Sequence, residues 1–474
     1  MKVLYVASEG LPFIASGGLA DVAGSLPQAL RQRLIGARVV LPLYDEIPQQ
    51  MKDELKFITS LSVPVAWRRQ YCGVFEGKYN GVIYYFIDNQ YYFKRRGLYG
   101  HYDDAERFAF FSRAVLEMLP YIGFKPDIIH CNDWQCALTP VYYDLFYARR
   151  EDFGGIKTLF TIHNIQYQGK YGMELVGDVI GIPTSETHVL EYDHCVNMMK
   201  GAIETANRVN TVSPTYAQEI MDPWFSHGLD DILRQRSWKV SGILNGIDTE
   251  NYNPASDPNI YQNYSAEDIS GKAANKAALQ EKMGLPVRED VPLIGMVSRL
   301  VAHKGLDLVK ESFDGFLASN DVQVAVLGSG DWQYESFFRE MHDRYPDKIA
   351  ITFGFIPDLA RKIYAGADMF LMPSKSEPCG LAQMVSLRYG TIPIVRETGG
   401  LKDSIQDSGD GEGNGFTFKS YNAGDMMYAV SRALEGYAHK EGWDVLVKRA
   451  METDCSWGRS ANEYIRLYKS MLAE

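Results

Sequence analysis

The chain has 474 residues, 46% hydrophobic and 23% charged, with 48 Lys and Arg against 60 Asp and Glu for a formal net charge of -12. That length is too great for one core and predicts two or three domains of ordinary globular composition. The acidic balance argues against a nucleic-acid partner, which favours a basic face, and leaves any phosphate-bearing ligand to be held by local cations.

The first residues, KVLYVA at 2 to 7, carry one basic side chain and a short apolar run, so they predict a strand and not a signal peptide. A loop follows from Ser8, then a helical pattern from Leu19 to Arg33 that Pro27 should interrupt. Gly17 and Gly18 precede this helix and Asp21 sits in its first turn. Glycines there either let backbone approach a ligand or serve as plain punctuation. Val39 to Leu43 predicts a second strand, and alternating segments between 50 and 90 predict antiparallel hairpin strands inserted in the first domain. Asp127 to His130 is a strand running into Cys131-Asn132-Asp133-Trp134-Gln135. Asp133 and Trp134 at a strand's carboxyl end suit hydroxyl recognition, although Asp133 could equally cap the next helix. Lys157 to Ile162 ends at His163, whose imidazole can bond a hydroxyl or an oxyanion. Three polar clusters after three different strands mark one edge.

Ala206 to Val212 leads to a helix start at Ser213-Pro214. Val240 to Leu244 then runs into Asn245-Gly246, and the polar, proline-containing stretch to about 270 reads as an interdomain connection. Strand and helix alternate again from Ala273, with strands at 293–297, 323–327, 349–353, 369–372 and 392–395. Right-handed crossovers make this a second doubly wound parallel sheet. Its first strand ends in a loop carrying Arg299 and Lys304, a forked donor and a point charge that suit a diphosphate or form an ordinary surface pair. Gly328-Ser329-Gly330-Asp331 resembles a nucleotide-domain turn, but neither G-x-G-x-x-G nor G-x-x-x-x-G-K-[ST] is present, so neither a dehydrogenase nor a P-loop ATPase is supported. At 373 to 403 a strand, a loop with Glu377, Pro378, Cys379 and Gly380, a helix, a strand and Gly399-Gly400 form one βαβ unit. That arrangement places a carboxylate, a thiol and backbone amides at the ligand-binding edge of a sheet. An amphipathic helix from about 456 to 470 is expected to pack back on the first domain. The six cysteines are scattered without a C-x-x-C pair, which gives no disulfide framework or zinc site and fits a reducing cytoplasm. No stretch reaches about 18 apolar residues, so no membrane span is expected.

Taken together, SGGLADV at 16–22, HCNDWQ at 130–135, HNIQYQG at 163–169, NTVSPTYA at 210–217, GILNGID at 242–248, SRLVAHKGLDL at 298–308, EPCGLAQ at 377–383 and RYGTIPIVRETGGLKD at 388–403 resemble the bacterial glycogen synthase and plant starch synthase family of retaining glycosyltransferases. The resemblance implies an α/β GT-B fold, with an N-terminal Rossmann-like domain at 1–250, a C-terminal one at 251–455 and a returning helix at 456–474. It implies an active site in the cleft, no metal ion or other cofactor, and transfer of glucose from ADP-glucose to the 4-hydroxyl of an α-1,4-glucan. By matching motif, Arg299 and Lys304 would hold the diphosphate, and Glu377 would support the cationic anomeric carbon. The backbone at Cys379, Gly380 and Leu381 would receive sugar and phosphate. His163 would sit beside the glucose, Asp133, Asp21 and Asn245 would bind hydroxyls, and Gly17 and Gly18 would line the donor.

One position departs from the family pattern. The family carries lysine in K-x-G-G-L, and here that residue is Ala15. Losing one charge-assisted bond corresponds to roughly 1.5–3 kcal/mol, or one to two orders of magnitude in rate or affinity. Milder differences are Gln135, Lys375 and Ala382. Three other readings stay open: a UDP-glucose-using synthase, a glucan-binding homologue with weak or lost turnover, and a glycoside hydrolase built on Asp133 and Glu377. The last leaves Arg299 and Lys304 without a purpose.

Overall fold

The computed structural model describes residues 1–474, which divide into two compact units: Met1–Asn245 with Trp457–Glu474, and Gly246–Ser456. In the first unit the strands are β1 (Lys2–Val6), β2 (Gly36–Pro42), β3 (Lys56–Val65), β4 (Arg68–Tyr79), β5 (Val82–Asp88), β6 (Ile128–Asn132), β7 (Lys157–Ile162), β8 (Lys170–Tyr171), β9 (Glu191–Tyr192), β10 (Cys195–Asn197), β11 (Arg208–Thr211) and β12 (Val240–Gly242). Nine of them form one sheet in the order β12-β11-β7-β6-β1-β2-β5-β4-β3. From β12 to β5 all neighbours are parallel, and β4 and β3 add an antiparallel edge. The central strands β1 and β6 are buried along nearly their whole length, as strands covered on both faces require. The strand order reverses between β1 and β6, so the loops that follow these two strands flank a crevice at the carboxyl edge.

The helix Gly18–Arg31 runs through Pro27 without a break. The expected interruption is absent: the proline sits on a buried stripe, and Gln28 Nε2 donates to Gly24 O at 2.7 Å within the same turn. The helix Trp457–Ala473 buries Trp457, Ala461, Tyr464, Tyr468 and Met471 along one stripe against this unit. Its two inner tyrosines join a polar chain in the core. His130 Nδ1 lies 2.8 Å from Tyr468 Oη, His130 Nε2 2.6 Å from Thr161 Oγ1, and Asn210 Nδ2 3.2 Å from Tyr464 Oη, while Thr161 Oγ1 meets Asn210 Oδ1. Burial keeps His130 neutral.

The second unit holds β13 (Leu293–Val297), β14 (Gln323–Gly328), β15 (Ile349–Phe353), β16 (Met369–Met372), β17 (Ile392–Arg396) and β18 (Phe416–Phe418), all parallel in the order β15-β14-β13-β16-β17-β18. One of its hydrophobic clusters joins Leu279, Leu293, Leu327, Leu359 and Ile363. The order reverses between β13 and β16, again defining a crevice beside their carboxyl ends. The stretch from 246 to 270, expected as a connection, is instead packed into this unit. Asp257 is buried, its Oδ2 takes Arg361 Nη1 at 2.9 Å, and Tyr264 Oη donates to Tyr389 O at 2.7 Å. A few buried side chains such as Asp257 and Tyr264 anchor it, while most of its polar residues face solvent. No helix is long and apolar enough to cross a membrane.

Candidate active site

At the first unit's switch point, β1 is followed by Glu9, whose buried carboxylate accepts the backbone N–H of Ser16 and so holds the loop leading to Gly17 and Gly18. Burial raises the Glu9 pKa. Gly17 is extended rather than left-handed, and a β-carbon at Gly18 would meet nothing within 4 Å, so these glycines leave open space in front of the helix. Asp21 is half-buried in the first turn, and Ala15 is exposed just before the pair.

After β6, Asp133 adopts φ 57°, an uncommon conformation for a non-glycine residue. This turns its carboxylate away from the following helix, where it makes no cap, and onto the loop after β7. Asp133 Oδ1 accepts from His163 N at 2.7 Å and Asn164 N at 3.4 Å. The capping alternative is therefore wrong. Burial pushes the Asp133 pKa up to about 7 despite these amides, and drops His163 to about 3. Trp134, expected to meet hydroxyls, is buried against Phe108 and Tyr171 with ring centroids at 5.3 Å and 6.0 Å, so it packs the loop from beneath. Asn245, beyond β12, is buried with its Oδ1 lacking any hydrogen-bond partner, a state that native structures rarely leave unexplained.

In the second unit the loop after β13 carries Arg299, exposed to solvent, and Lys304. The loop after β16 carries Glu377, which is buried. These two loops meet. Lys304 Nζ lies 2.6 Å from Glu377 Oε2, and Ser374 Oγ donates to the same oxygen at 2.9 Å. Backbone fixes the meeting: Lys375 N donates to His303 O at 2.9 Å, and Gly400 N lies 3.1 Å from both Glu377 O and Pro378 O. Glycine is obligatory at three of these contacts. A β-carbon would stand 2.0 Å from Pro373 O at Gly305, 1.9 Å from Glu377 O at Gly399 and 2.1 Å from Cys379 O at Gly400. Cys379 is buried, and Gly380 has φ 72°. Leu381 precedes a helix that starts at Ala382. Gln383 Nε2 bonds Cys379 O and Gly380 O at 3.0 Å each, holding this backbone. The Gly328-Ser329-Gly330 turn has a packing reason: a β-carbon at Gly328 would lie 2.0 Å from Ser298 O, and one at Gly330 2.4 Å from Leu300 O.

The predicted residues thus gather in two sets. Gly17, Gly18, Asp21, Asp133 and His163 stand at the carboxyl edge of the first sheet, with Asn245 at the end of that unit. Arg299, Lys304, Glu377, Cys379, Gly380 and Leu381 stand at the corresponding edge of the second. Two residues escaped the sequence reading. Asn132, the last residue of β6, holds the His163 ring, with its Oδ1 2.8 Å from His163 Nε2. Phe355 is 91% exposed after β15 at the same edge as Arg299. An aromatic two residues past a strand and beside a glycine was its available signal. Chemically, the second set combines a fixed cation with a carboxylate it partly neutralises. The first combines a neutral imidazole with a carboxyl group whose proton is lost near neutrality.

Family models match both halves of the chain: the starch synthase catalytic domain over residues 2–235 and glycosyl transferases group 1 over 280–444. A glycogen synthase of Geobacillus stearothermophilus is 51% identical over 476 residues, spanning 100% of this chain and 98% of its own. One from Anoxybacillus flavithermus is 50% identical, with the same coverage. The catalytic domain of starch synthase IV from Arabidopsis thaliana, solved bound to ADP and acarbose, superposes with a TM-score of 0.90 at 36% identity, covering 100% of this chain and 99% of that one. A sucrose-phosphate synthase from Thermosynechococcus elongatus, at 15% identity and a TM-score of 0.61, shares the fold. With both sheets doubly wound and the likeness running end to end, the chain belongs to the glycogen synthase and starch synthase family of GT-B glycosyltransferases.

Proposed function

We propose that the protein transfers glucose from ADP-glucose to the non-reducing 4-hydroxyl of an α-1,4-glucan such as glycogen, with retention of configuration. The observation that carries the reading is the Lys304–Glu377 pair at 2.6 Å on the two loops of a switch point. A donor diphosphate needs cations that stabilise its charge as the glycosidic bond breaks, and Arg299 and Lys304 supply them without a metal ion. The anomeric carbon that it leaves is electron-poor, and the Glu377 carboxylate beside Lys304 favours that charge. Lys304 pairs with Glu377 when no donor is bound, and it shifts toward the phosphate as charge develops there, which frees Glu377 for the sugar. The leaving phosphate oxygen takes the acceptor's proton on the same face, which keeps the configuration. Cys379, Gly380 and Leu381 offer fixed backbone to sugar and phosphate. Gly17 and Gly18 leave room at the first unit's edge, where Asp21, Asp133, His163 and Asn245 bind hydroxyls. Support for ADP-glucose and glucan comes from the relative solved with ADP and acarbose. Six free thiols suit work in the cytoplasm.

The test incubates purified protein with glycogen and either ADP-glucose or UDP-glucose, and measures glucose incorporated and nucleotide released. Incorporation from ADP-glucose is expected, lost in Glu377→Ala and raised in Ala15→Lys. Incorporation from UDP-glucose alone would replace the donor. Normal glucan binding with no transfer from either donor, in wild type and Ala15→Lys alike, would make this a glucan-binding homologue.

A further inference from the structure

We infer that Asn132 is a positioning residue that fixes His163 as the tautomer with hydrogen on Nε2, so that His163 presents Nδ1 to substrate as a hydrogen-bond acceptor. Asn132 is wholly buried at the end of β6, and its Nδ2 lies 2.9 Å from Val6 O and 3.3 Å from His130 O. Both neighbours are carbonyls and can only accept, so the amide nitrogen must face them; a flipped amide would set three oxygens together. Oδ1 therefore faces the other way as an acceptor. Two groups reach it: Tyr5 Oη at 2.9 Å and His163 Nε2 at 2.8 Å. Each must donate, since a bare imidazole nitrogen against that oxygen would repel it. Tyr5 is buried, which holds its phenol protonated.

His163 Nε2 consequently carries a proton. Burial separately disfavours the imidazolium and keeps the ring neutral at physiological pH. Nδ1 is then bare. No protein group hydrogen-bonds it, and His163 is half-buried, so this nitrogen is the ring atom left for a ligand. The backbone of the same residue is held by Asp133 Oδ1 at 2.7 Å. Consecutive residues of one strand end thus fix His163 at ring and backbone. A bare Nδ1 accepts a sugar O–H and cannot protonate a leaving oxygen. That assigns His163 to orienting a hydroxyl rather than donating a proton, an assignment that rests on the glucosyl-transfer reading for its substrate.

The test reads the proton directly. Wild-type protein labelled with ring-¹⁵N histidine is examined by long-range ¹H–¹⁵N correlation from pH 6 to 9, with His163→Gln to assign the signal. Nε2 protonated and Nδ1 bare throughout is expected. A protonated Nδ1, as the other tautomer or as imidazolium at pH 7, would overturn the inference whether or not the protein transfers glucose. In Asn132→Leu the signal should become a mixture of tautomers and kcat should fall about tenfold with the glucan KM nearly unchanged. A folded Asn132→Leu with mixed tautomers and full kcat would also sink it. Asn132→Asp should keep the Nε2 proton while raising the ring pKa. If Asn132→Leu fails to fold, the wild-type spectrum decides alone.

Discussion

Lys304 and Glu377 depend on one another, and their variants separate electrostatics from chemistry. Lys304→Met leaves a buried carboxylate with Ser374 as its remaining side-chain donor, which destabilises the fold by about 1–3 kcal/mol. Adding Glu377→Gln removes the stranded charge, so urea unfolding should show the double variant recovering most of that loss. Glucosyl transfer should stay at background in both. Phe355 stands apart from this pair, in the loop after β15. Its exposed ring, at the same edge as Arg299, offers a stacking face, and if the proposed donor site is right Phe355→Ala should weaken ADP binding by about 1–3 kcal/mol in calorimetry while the glucan KM stays put. Asp133 carries a pH signature. Its folded pKa of about 7 exceeds its ordinary value, so between roughly pH 4 and 7 the folded state binds more protons than the unfolded one, and this residue's contribution to stability falls as pH rises. Asp133→Asn keeps an acceptor for His163 and Asn164 but never ionises. Its melting temperature should gain on wild type progressively from pH 4 to 7 and hold that gain above, while glucan affinity drops. A pH-independent difference would mean that Asp133 does not titrate in this range.

At the scale of elements, the C-terminal helix completes the first sheet through side chains. Asn210 Nδ2 faces Thr211 O and Tyr464 Oη, which leaves its Oδ1 to accept from Thr161. Thr161 then accepts from His130 Nε2, and Tyr468 donates to His130 Nδ1. Tyr468→Phe would leave a buried imidazole nitrogen unpaired, a loss of about 1–3 kcal/mol that equilibrium unfolding would detect without change in the donor KM. None of this chain was legible from one sequence. His130 read as a strand residue because local pattern carries no information about a tyrosine 338 positions away. The strands themselves were legible, since apolar runs ending at Gly, Pro or a polar cluster marked every parallel strand of the second sheet except β18. So were Lys304 and Glu377 as separate candidates; their pairing was not, because only the fold brings two strand ends together. Pro27 and the 246–270 stretch misled for the same reason: packing overrode a local rule.

Over the whole molecule, the two units differ in how the chain builds them. The second is continuous, and its ends lie side by side, with Ile247 N donating to Cys455 O at 2.8 Å. The first is split, and Ser460 Oγ donates to Leu244 O at 2.5 Å to close it from the far side. A fragment of residues 246–456 should therefore fold alone and bind ADP, seen as a cooperative melt that nucleotide raises. A fragment of residues 1–245 should not, because it exposes the groove that Trp457, Tyr464 and Tyr468 fill; adding residues 457–474 through a short linker should restore it. Two independent, equally sharp melts from residues 1–245 and 246–456 would refute this asymmetry.

The split has a consequence on the ribosome. Residues emerge from the N-terminus onward, yet the N-terminal unit lacks its last helix until residues 457–474 are made. Synthesis of residues 246–456 takes roughly 10–40 s at about 5–20 residues per second. For that interval the groove that Tyr464 and Tyr468 fill is expected to stay uncovered, while residues 246–456 already hold everything their own unit needs. The unit made second is thus expected to be complete before the unit made first, and protease digestion of nascent chains stalled after residue 456 should cut residues 1–245 faster than 246–456.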